Sequence, residues 1–306
     1  METNQYDVIV LGGGAAGLTA GIYLSRAKVK TLILNEGMVG GQIILTHEVA
    51  NYPGIENVSG YQLAITMKKQ AESFGCDIKQ NVTISKIDLS GVVKTIFVGD
   101  EKFTAKAVIV ATGGRSRELG VEGENTFKGR GISYCATCDG DFYTDKDIIV
   151  VGGGNSALEE AVALTTYART VTIVHIFDHF QGFEHAIEMA KKNPKIRFVL
   201  NSSIEGFYGD LKVDNVKIKN LKDNTVTKMP IDGVFIFIGY TPNTEKFVNQ
   251  IKLNDRGEIP TDENMATDIS GVFAAGDVRQ KKIRQITTAV NDGAIAAISA
   301  IEYIQG

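Results

Sequence analysis

The sequence predicts an α/β protein made from two copies of a strand–turn–helix–strand unit, the second copy set into the first. Two observations carry this reading. A glycine-rich turn after a buried strand occurs at Gly12-Gly13-Gly14-Ala15-Ala16-Gly17, and again 140 residues on (Gly12 to Gly152) at Gly152-Gly153-Gly154-Asn155-Ser156-Ala157. The last segment, after about Gly239, has apolar strands and a helix but no such turn of its own, so it needs one of the two units as a partner. Composition agrees. A chain of 306 residues favours two domains over one. With 43% hydrophobic and 22% charged residues, wholesale disorder is excluded. The 33 glycines against 5 prolines point to tight turns and close backbone approaches.

Each element follows from local pattern. Val8-Ile9-Val10-Leu11 is a short apolar run, the signature of a strand buried on both faces. Leu18 to Ala27 reads as the following helix and Thr31-Leu32-Ile33-Leu34 as the second strand. In the second copy the same order is Ile148-Ile149-Val150-Val151, a helix from Leu158 to Tyr167, and Val171-Thr172-Ile173-Val174. Asp7 and Asp147, just before the two first strands, keep the same offset. Further strands ending in small residues are expected over 107–114, 233–240 and 271–277, with a buried Ala- and Ile-rich helix from about Gln285 to Tyr303.

The spacing G-x-G-x-x-G is what a pyrophosphate requires. The first glycine makes the turn, the second lets phosphate approach the backbone, and the third allows close helix–strand packing. Free N–H groups at the helix start then hold the anion. One such turn is weak evidence, since glycine turns are common; two in the same context indicate two dinucleotide sites. In the second copy alanine stands at the third position. The expected fold is two Rossmann-like, three-layer ββα dinucleotide-binding domains, the second inserted into the first, with boundaries at 1–113, 114–240 and 241–306.

With 32 Lys+Arg against 36 Asp+Glu, the net charge is −4 and no basic face is evident, so no nucleic-acid partner is expected. No uncharged apolar run approaches the about 18 residues that cross a bilayer, and Met1 to Asp7 is polar rather than a cationic leader. No membrane association and a cytoplasmic location are expected. Three cysteines argue against a disulfide framework.

Two of them are spaced C-x-x-C in Ser133-Tyr134-Cys135-Ala136-Thr137-Cys138-Asp139-Gly140-Asp141. Half of a zinc site would need a second pair. None exists, and His47, His175, His179 and His185 do not complete a finger-like spacing, so no metal is expected. The pair is then either inert and buried or a redox pair whose reactivity follows thiolate formation. Asp139, beside Cys138, is either a solvated turn residue or a proton donor with a pKa raised by burial. Cys76 reads as a small core hydrophobe.

These residues resemble the low-molecular-weight thioredoxin reductases: two nucleotide turns flank Cys135-Ala136-Thr137-Cys138-Asp139, and a terminal segment runs from Ala274-Ala275-Gly276-Asp277 through Arg284-Gln285-Ile286 to Asp292-Gly293-Ala294. The resemblance covers nearly the whole chain. It implies FAD at the first turn, held by Gly12, Gly14, Ala15 and Gly17. Gly41, Gln42, Asn51, Ala111, Thr112, Gly113, Asp277, Arg284, Gln285 and Ile286 would be further flavin contacts, and Asn35 or Glu36 would bind the ribose. It implies a nicotinamide nucleotide at Gly152, Gly154, Asn155, Ser156, Ala157, Glu159 and His175. Cys138 would meet the flavin, Cys135 would attack the disulfide of a thioredoxin-like protein, and Asp139 would supply the proton. Hinges are expected near Gly113-Gly114 and Gly239-Tyr240, and a homodimer is implied by the resemblance alone.

The second site departs from the family. Where H-R-R-x-x-x-R grips the 2′-phosphate of NADPH, this chain reads His175-Ile176-Phe177-Asp178-His179-Phe180-Gln181. Each lost arginine removes a charge-assisted hydrogen bond of about 1.5–3 kcal/mol. The expected donor is NADH, with Asp178 as a substitute ribose ligand; NADPH despite the missing arginines, and then a ferredoxin-type carrier, are the other readings. Other readings are the reductase of a peroxidase system, for which Met1 to Tyr6 leaves no room for an added domain, a flavin-dependent thiol oxidase, and a flavin-binding redox sensor.

Overall fold

The computed structural model describes residues 4–46 and 49–306; His47 lies outside the described residues. The strands in chain order are β1 (Asn4–Leu11), β2 (Thr31–Asn35), β3 (Asp77–Gln80), β4 (Ile84–Asp88), β5 (Lys94–Val98), β6 (Glu101–Val110), β7 (Gly114–Ser116), β8 (Ile132–Ser133), β9 (Asp147–Val151), β10 (Thr170–Val174), β11 (Ile196–Val199), β12 (Ser202–Gly209), β13 (Val213–Asn220), β14 (Val226–Pro230), β15 (Gly233–Ile236), β16 (Tyr240–Pro242) and β17 (Val272–Ala274). The α-helices are α1 (Ala15–Arg26), α2 (Gly60–Ser73), α3 (Glu124–Phe127), α4 (Ala136–Asp139), α5 (Asn155–Leu164), α6 (Glu184–Lys192) and α7 (Ile286–Gln305). The chain forms two compact units, residues 1–115 with 241–306, and residues 116–240.

In the first unit the sheet runs β3-β2-β1-β6-β5-β4, and β17 pairs with β6. The pairs among β3, β2, β1, β6 and β17 are parallel, while β4 and β5 add antiparallel. Alternation along β1 sorts the two faces. Val8 and Val10, with Ile33 and Ile109, bury against residues of α1, α2 and α7. Ile9 and Leu11, with Leu34 and Val110, bury against Ile87, Ile96, Phe247 and Ile251. A two-residue period cannot hide only one face here, which is why the strand is apolar throughout.

In the second unit the sheet order is β11-β10-β9-β15-β8, all parallel. Ile148, Val150, Ile173 and Phe235 face α5 and α6. Ile149, Val151, Val234 and Ile236 face Phe207, Val213 and Val216 of the antiparallel β12-β13-β14 layer. Each unit is thus a three-layer ββα sandwich of Rossmann type.

Both turn helices start earlier than their apolar pattern suggested, at Ala15 and Asn155 instead of Leu18 and Leu158. The N-caps are Gly14 and Gly154, so the end of each glycine motif is already the first helical turn. Small polar or Ala residues there carry no periodic signal. The apolar run 233–240 is likewise two strands: β15 ends at Ile236, and Gly239, at φ 127°, turns the chain into β16.

Candidate functional site

Parallel pairing of β8 with β15 (Ile132 beside Val234, Ser133 beside Phe235) delivers the chain to the cysteines. Cys135 and Cys138 are joined in a disulfide, with Sγ–Sγ 2.12 Å and Cα–Cα 5.3 Å. Cys135 is the N-cap of α4, and its Sγ accepts a hydrogen bond from Cys138 N at 3.2 Å. Both residues are half-buried, so the pair is neither locked in a core nor freely solvated.

Asp139 ends that helical turn. Its Oδ2 accepts a hydrogen bond from Ser133 Oγ at 2.5 Å. Burial pushes its carboxyl above the ordinary carboxylate range, and the Asp141 charge adds to the rise; the Ser133 bond opposes it. Ser133, buried on β8, also accepts the Cys135 N–H at 3.1 Å. On the other side of the loop Tyr134 Oη donates to Glu124 Oε1 at 2.7 Å. Glu124, only 1% exposed, also accepts Leu119 N at 3.0 Å and Gly120 N at 2.7 Å. Sequence reasoning missed Ser133, Glu124 and Tyr134. The one available signal was a hydroxyl two residues before the first cysteine, and an isolated glutamate reads as surface.

The first glycine turn is built as a phosphate cradle. Gly12 sits at φ 110°, and a Cβ there would lie 2.3 Å from Ala111 O. A Cβ on Gly17 would lie 1.8 Å from Gly12 O. Gly14 is open on its exposed side, with Gly40 O the nearest atom at 4.0 Å, and it caps α1 with no side-chain acceptor. The first N–H groups of α1 are therefore available to an anion. Gly41 backs the turn, its Cβ position 3.3 Å from Gly14 Cα. Gly276, preceding Asp277, meets Ala16 in the same way at 2.9 Å. These residues fit a dinucleotide pyrophosphate.

Other predicted flavin contacts hold the frame. Asn35 Oδ1 accepts Gly13 N at 2.8 Å, and its Nδ2 donates to Gly37 O at 2.7 Å. Glu36 Oε1 accepts Ile84 N at 3.1 Å and pairs with Lys246. Thr112 Oγ1 donates to Asn243 O at 2.8 Å, and Gly113 O accepts Asn243 N at 2.9 Å. Asn51 Nδ2 donates to Gln285 Oε1 at 3.3 Å, so segments far apart in sequence meet before α7, which starts at Ile286. Gln285 and Thr288 close a capping box, and Arg284 pairs with Glu258. Gln42 is exposed on the turn at 41–45. Burial pushes the Asp277 carboxyl upward, while Lys281 and Arg284 pull it down. Buried Asp292 was not singled out from sequence. It accepts Gly276 N at 3.1 Å and Lys281 Nζ at 2.7 Å and so ties α7 to the Asp277 turn.

The second turn repeats the design. Gly152 lies at φ 137° with its Cβ position 2.4 Å from Phe237 O, Gly154 has open space, and α5 has no side-chain cap. Ala157 is buried, and Ser156 and Glu159 are exposed. Asn155 Oδ1 accepts Phe183 N at 2.6 Å. His175, 5% exposed, covers Gly153 and stacks on Phe180 with ring centroids 5.9 Å apart. Among the described residues its Nε2 has no hydrogen-bond partner. Burial pushes the imidazole below its ordinary pKa, so it is neutral at pH 7. Beyond it Ile176 and Phe177 are exposed, and Asp178 Oδ1 bonds His179 Nδ1 at 2.7 Å.

The arrangement sets a small disulfide ring beside a half-buried carboxyl in a protein with two glycine turns that fit phosphates, and it suits two-electron thiol–disulfide chemistry. No helix is long and apolar enough to cross a membrane among the described residues. Residues 6–293 match the family described as pyridine nucleotide-disulphide oxidoreductase. A thioredoxin reductase from Peptoclostridium acidaminophilum is 46% identical over 309 residues, covering 99% of this chain and 98% of that one. A 34.2 kDa protein of the rubredoxin operon of Clostridium pasteurianum is 47% identical, covering 100% and 99%. The crystal structure of thioredoxin reductase from Streptococcus pyogenes superposes with a TM-score of 0.95 at 41% identity, covering 99% of each chain. The chain thus belongs to the pyridine nucleotide-disulphide oxidoreductase family, as an enzyme of the low-molecular-weight thioredoxin reductase type.

Proposed function

We propose that this enzyme reduces the disulfide of a thioredoxin-like protein, with FAD bound by residues 1–113 and 241–306 and a nicotinamide nucleotide bound by residues 114–240. The Cys135–Cys138 disulfide with Asp139 hydrogen-bonded beside it is the observation that carries this reading. FAD bound there would supply the two electrons that open the disulfide. The Cys138 sulfur then takes up one proton, and Cys135 remains a thiolate. The Cys135 thiolate attacks one sulfur of the partner disulfide, a mixed disulfide forms, and the departing partner sulfur takes a proton from Asp139. Asp139, now a carboxylate, accepts the Cys138 proton as the Cys138 sulfur displaces the partner from Cys135. The displaced partner sulfur takes the second proton from solvent, so the partner leaves with two thiols, the Cys135–Cys138 bond is restored, and Asp139 ends protonated as it began.

The donor we assign is NADH. A 2′-phosphate dianion would meet exposed Ile176 and Phe177, a neutral His175 and the Asp178 carboxylate, with no guanidinium among them. A free ribose hydroxyl can instead donate to Asp178. Anaerobic stopped-flow with each nucleotide tests this: NADH should bleach the flavin at least 100-fold more efficiently than NADPH. Equal efficiency would overturn the assignment. Bleaching by neither, in protein that dithionite reduces, would move the donor to a ferredoxin-type carrier. Steady oxygen uptake with a dithiol and no nucleotide would indicate a thiol oxidase.

A further inference from the structure

We propose that Ser133 is a positioning residue that commits Asp139 Oδ2 to one hydrogen bond and leaves Oδ1 as the atom that gives and takes the proton. Three contacts place it. Ser133 Oγ accepts Cys135 N–H at 3.1 Å, lies 2.5 Å from Asp139 Oδ2, and lies 3.3 Å from Cys135 O. A hydroxyl has one proton, and the shortest contact takes it, so Ser133 donates to Asp139. With its own oxygen already accepting from the Cys135 amide, the hydroxyl cannot rotate away. Ser133 itself is fixed by the pairing of β8 with β15, and it is 5% exposed. The inward contact is therefore the same whichever state the sulfurs are in. Among the described residues Asp139 Oδ1 makes no hydrogen bond with the chain. A carboxyl with one oxygen held as acceptor carries its proton on the other.

The bond also sets how readily the proton leaves. Burial favours the neutral acid, and Asp141, from the turn that follows, reinforces this; Tyr143, from the same turn, is the other titratable group coupled to Asp139. The Ser133 hydroxyl is the group that favours the carboxylate. It keeps the acid from holding its proton too tightly to release it to a departing thiolate and recover another from Cys138.

This inference rests on Asp139 acting as the proton donor in the proposed reaction, and the test separates the two claims. The pH dependence of partner reduction is measured in the holoenzyme, with FAD content and thermal stability recorded for each variant. Asp139→Asn should abolish the alkaline limb and lower turnover; an unchanged profile would sink the Asp139 role itself. Ser133→Ala should move the limb to higher pH by about one unit, the size expected for losing one hydrogen bond to a charged group. Ser133→Thr should restore the original limb. In the Asp139→Asn background Ser133→Ala should move nothing. With the Asp139 limb established, an unmoved limb in Ser133→Ala would overturn the inference. A shift to lower pH would overturn it too, because the acid would then be donating to the hydroxyl. If Ser133→Ala does not fold, Ser133→Gly removes the same hydroxyl and is read in the same way.

Discussion

Cys135 and Cys138 differ in what their sulfurs touch, and that difference matches the roles proposed for them. The Cys135 Sγ accepts the Cys138 N–H at 3.2 Å, and a donated N–H stabilises thiolate. This fits the proposed reaction, in which Cys135 is the attacking sulfur and Cys138 the resolving one. Cys138→Ser should trap the partner as a mixed disulfide on Cys135, visible by intact mass. Cys135→Ser should trap none, and both should lower turnover by at least a thousandfold. Trapping by Cys135→Ser instead would exchange the roles. At this scale the pairing of the two cysteines, with Asp139 next to them, was legible because the residues are contiguous in sequence. Ser133 was not, since its function depends on β8 ending where it does. Asn35 and Glu36 show the opposite case: the strand-end position was legible, but the side chains hold Gly13 and Ile84. An amide or carboxylate has the same letter whether it binds a ligand or a backbone N–H.

The paired elements most sensitive to change are α1 and α7, which carry the first cradle and the segment after Arg284. They approach closely at Gly293, where a Cβ would lie 2.2 Å from Ala16 O. Backbone cannot yield as a flexible side chain can, so the helices must separate. Overpacking of this kind costs about 1–3 kcal/mol or more. Gly293→Ala should lower the thermal midpoint by several degrees and speed flavin loss, whereas Gly37→Ala, with nothing within 4 Å, should do neither. An unchanged midpoint for Gly293→Ala would mean that the contact relaxes freely. The glycine turns were legible at this scale because the strand before each is a solid apolar run. Helix starts were not, since Gly14 and Gly154 cap without a polar side chain.

For the molecule as a whole, the consequence of the inserted topology is a coupling of stability between the units. The first unit is assembled from two separate stretches, and its continuity depends on residues 116–240 bringing their ends together. Each unit closes its own end: Arg117 N donates to Gly239 O at 3.0 Å in the second, and Asn243 N to Gly113 O at 2.9 Å in the first. That the last stretch returns to the first unit was legible from its missing glycine turn; the hydrogen bonds that seal both ends were not, because they join residues distant in sequence. If the second unit unfolds, the first must close over a disordered segment of a hundred-odd residues, at an entropic cost of about 4 kcal/mol. His175 makes this coupling depend on pH. Its imidazole is held neutral by burial, whereas in the unfolded chain it takes a proton below about pH 6.5. The unfolded state then binds more protons, so stability is full above that pH and falls as the solution is acidified toward the lower folded pKa. Each unit of pKa depression contributes about 1.4 kcal/mol. Denaturant titrations at pH 7.5 and 5.0, following flavin release, should therefore show a lower midpoint at pH 5.0, and His175→Phe should shrink that difference. Flavin release that ignores His175 would show that the first unit stands without help from the second.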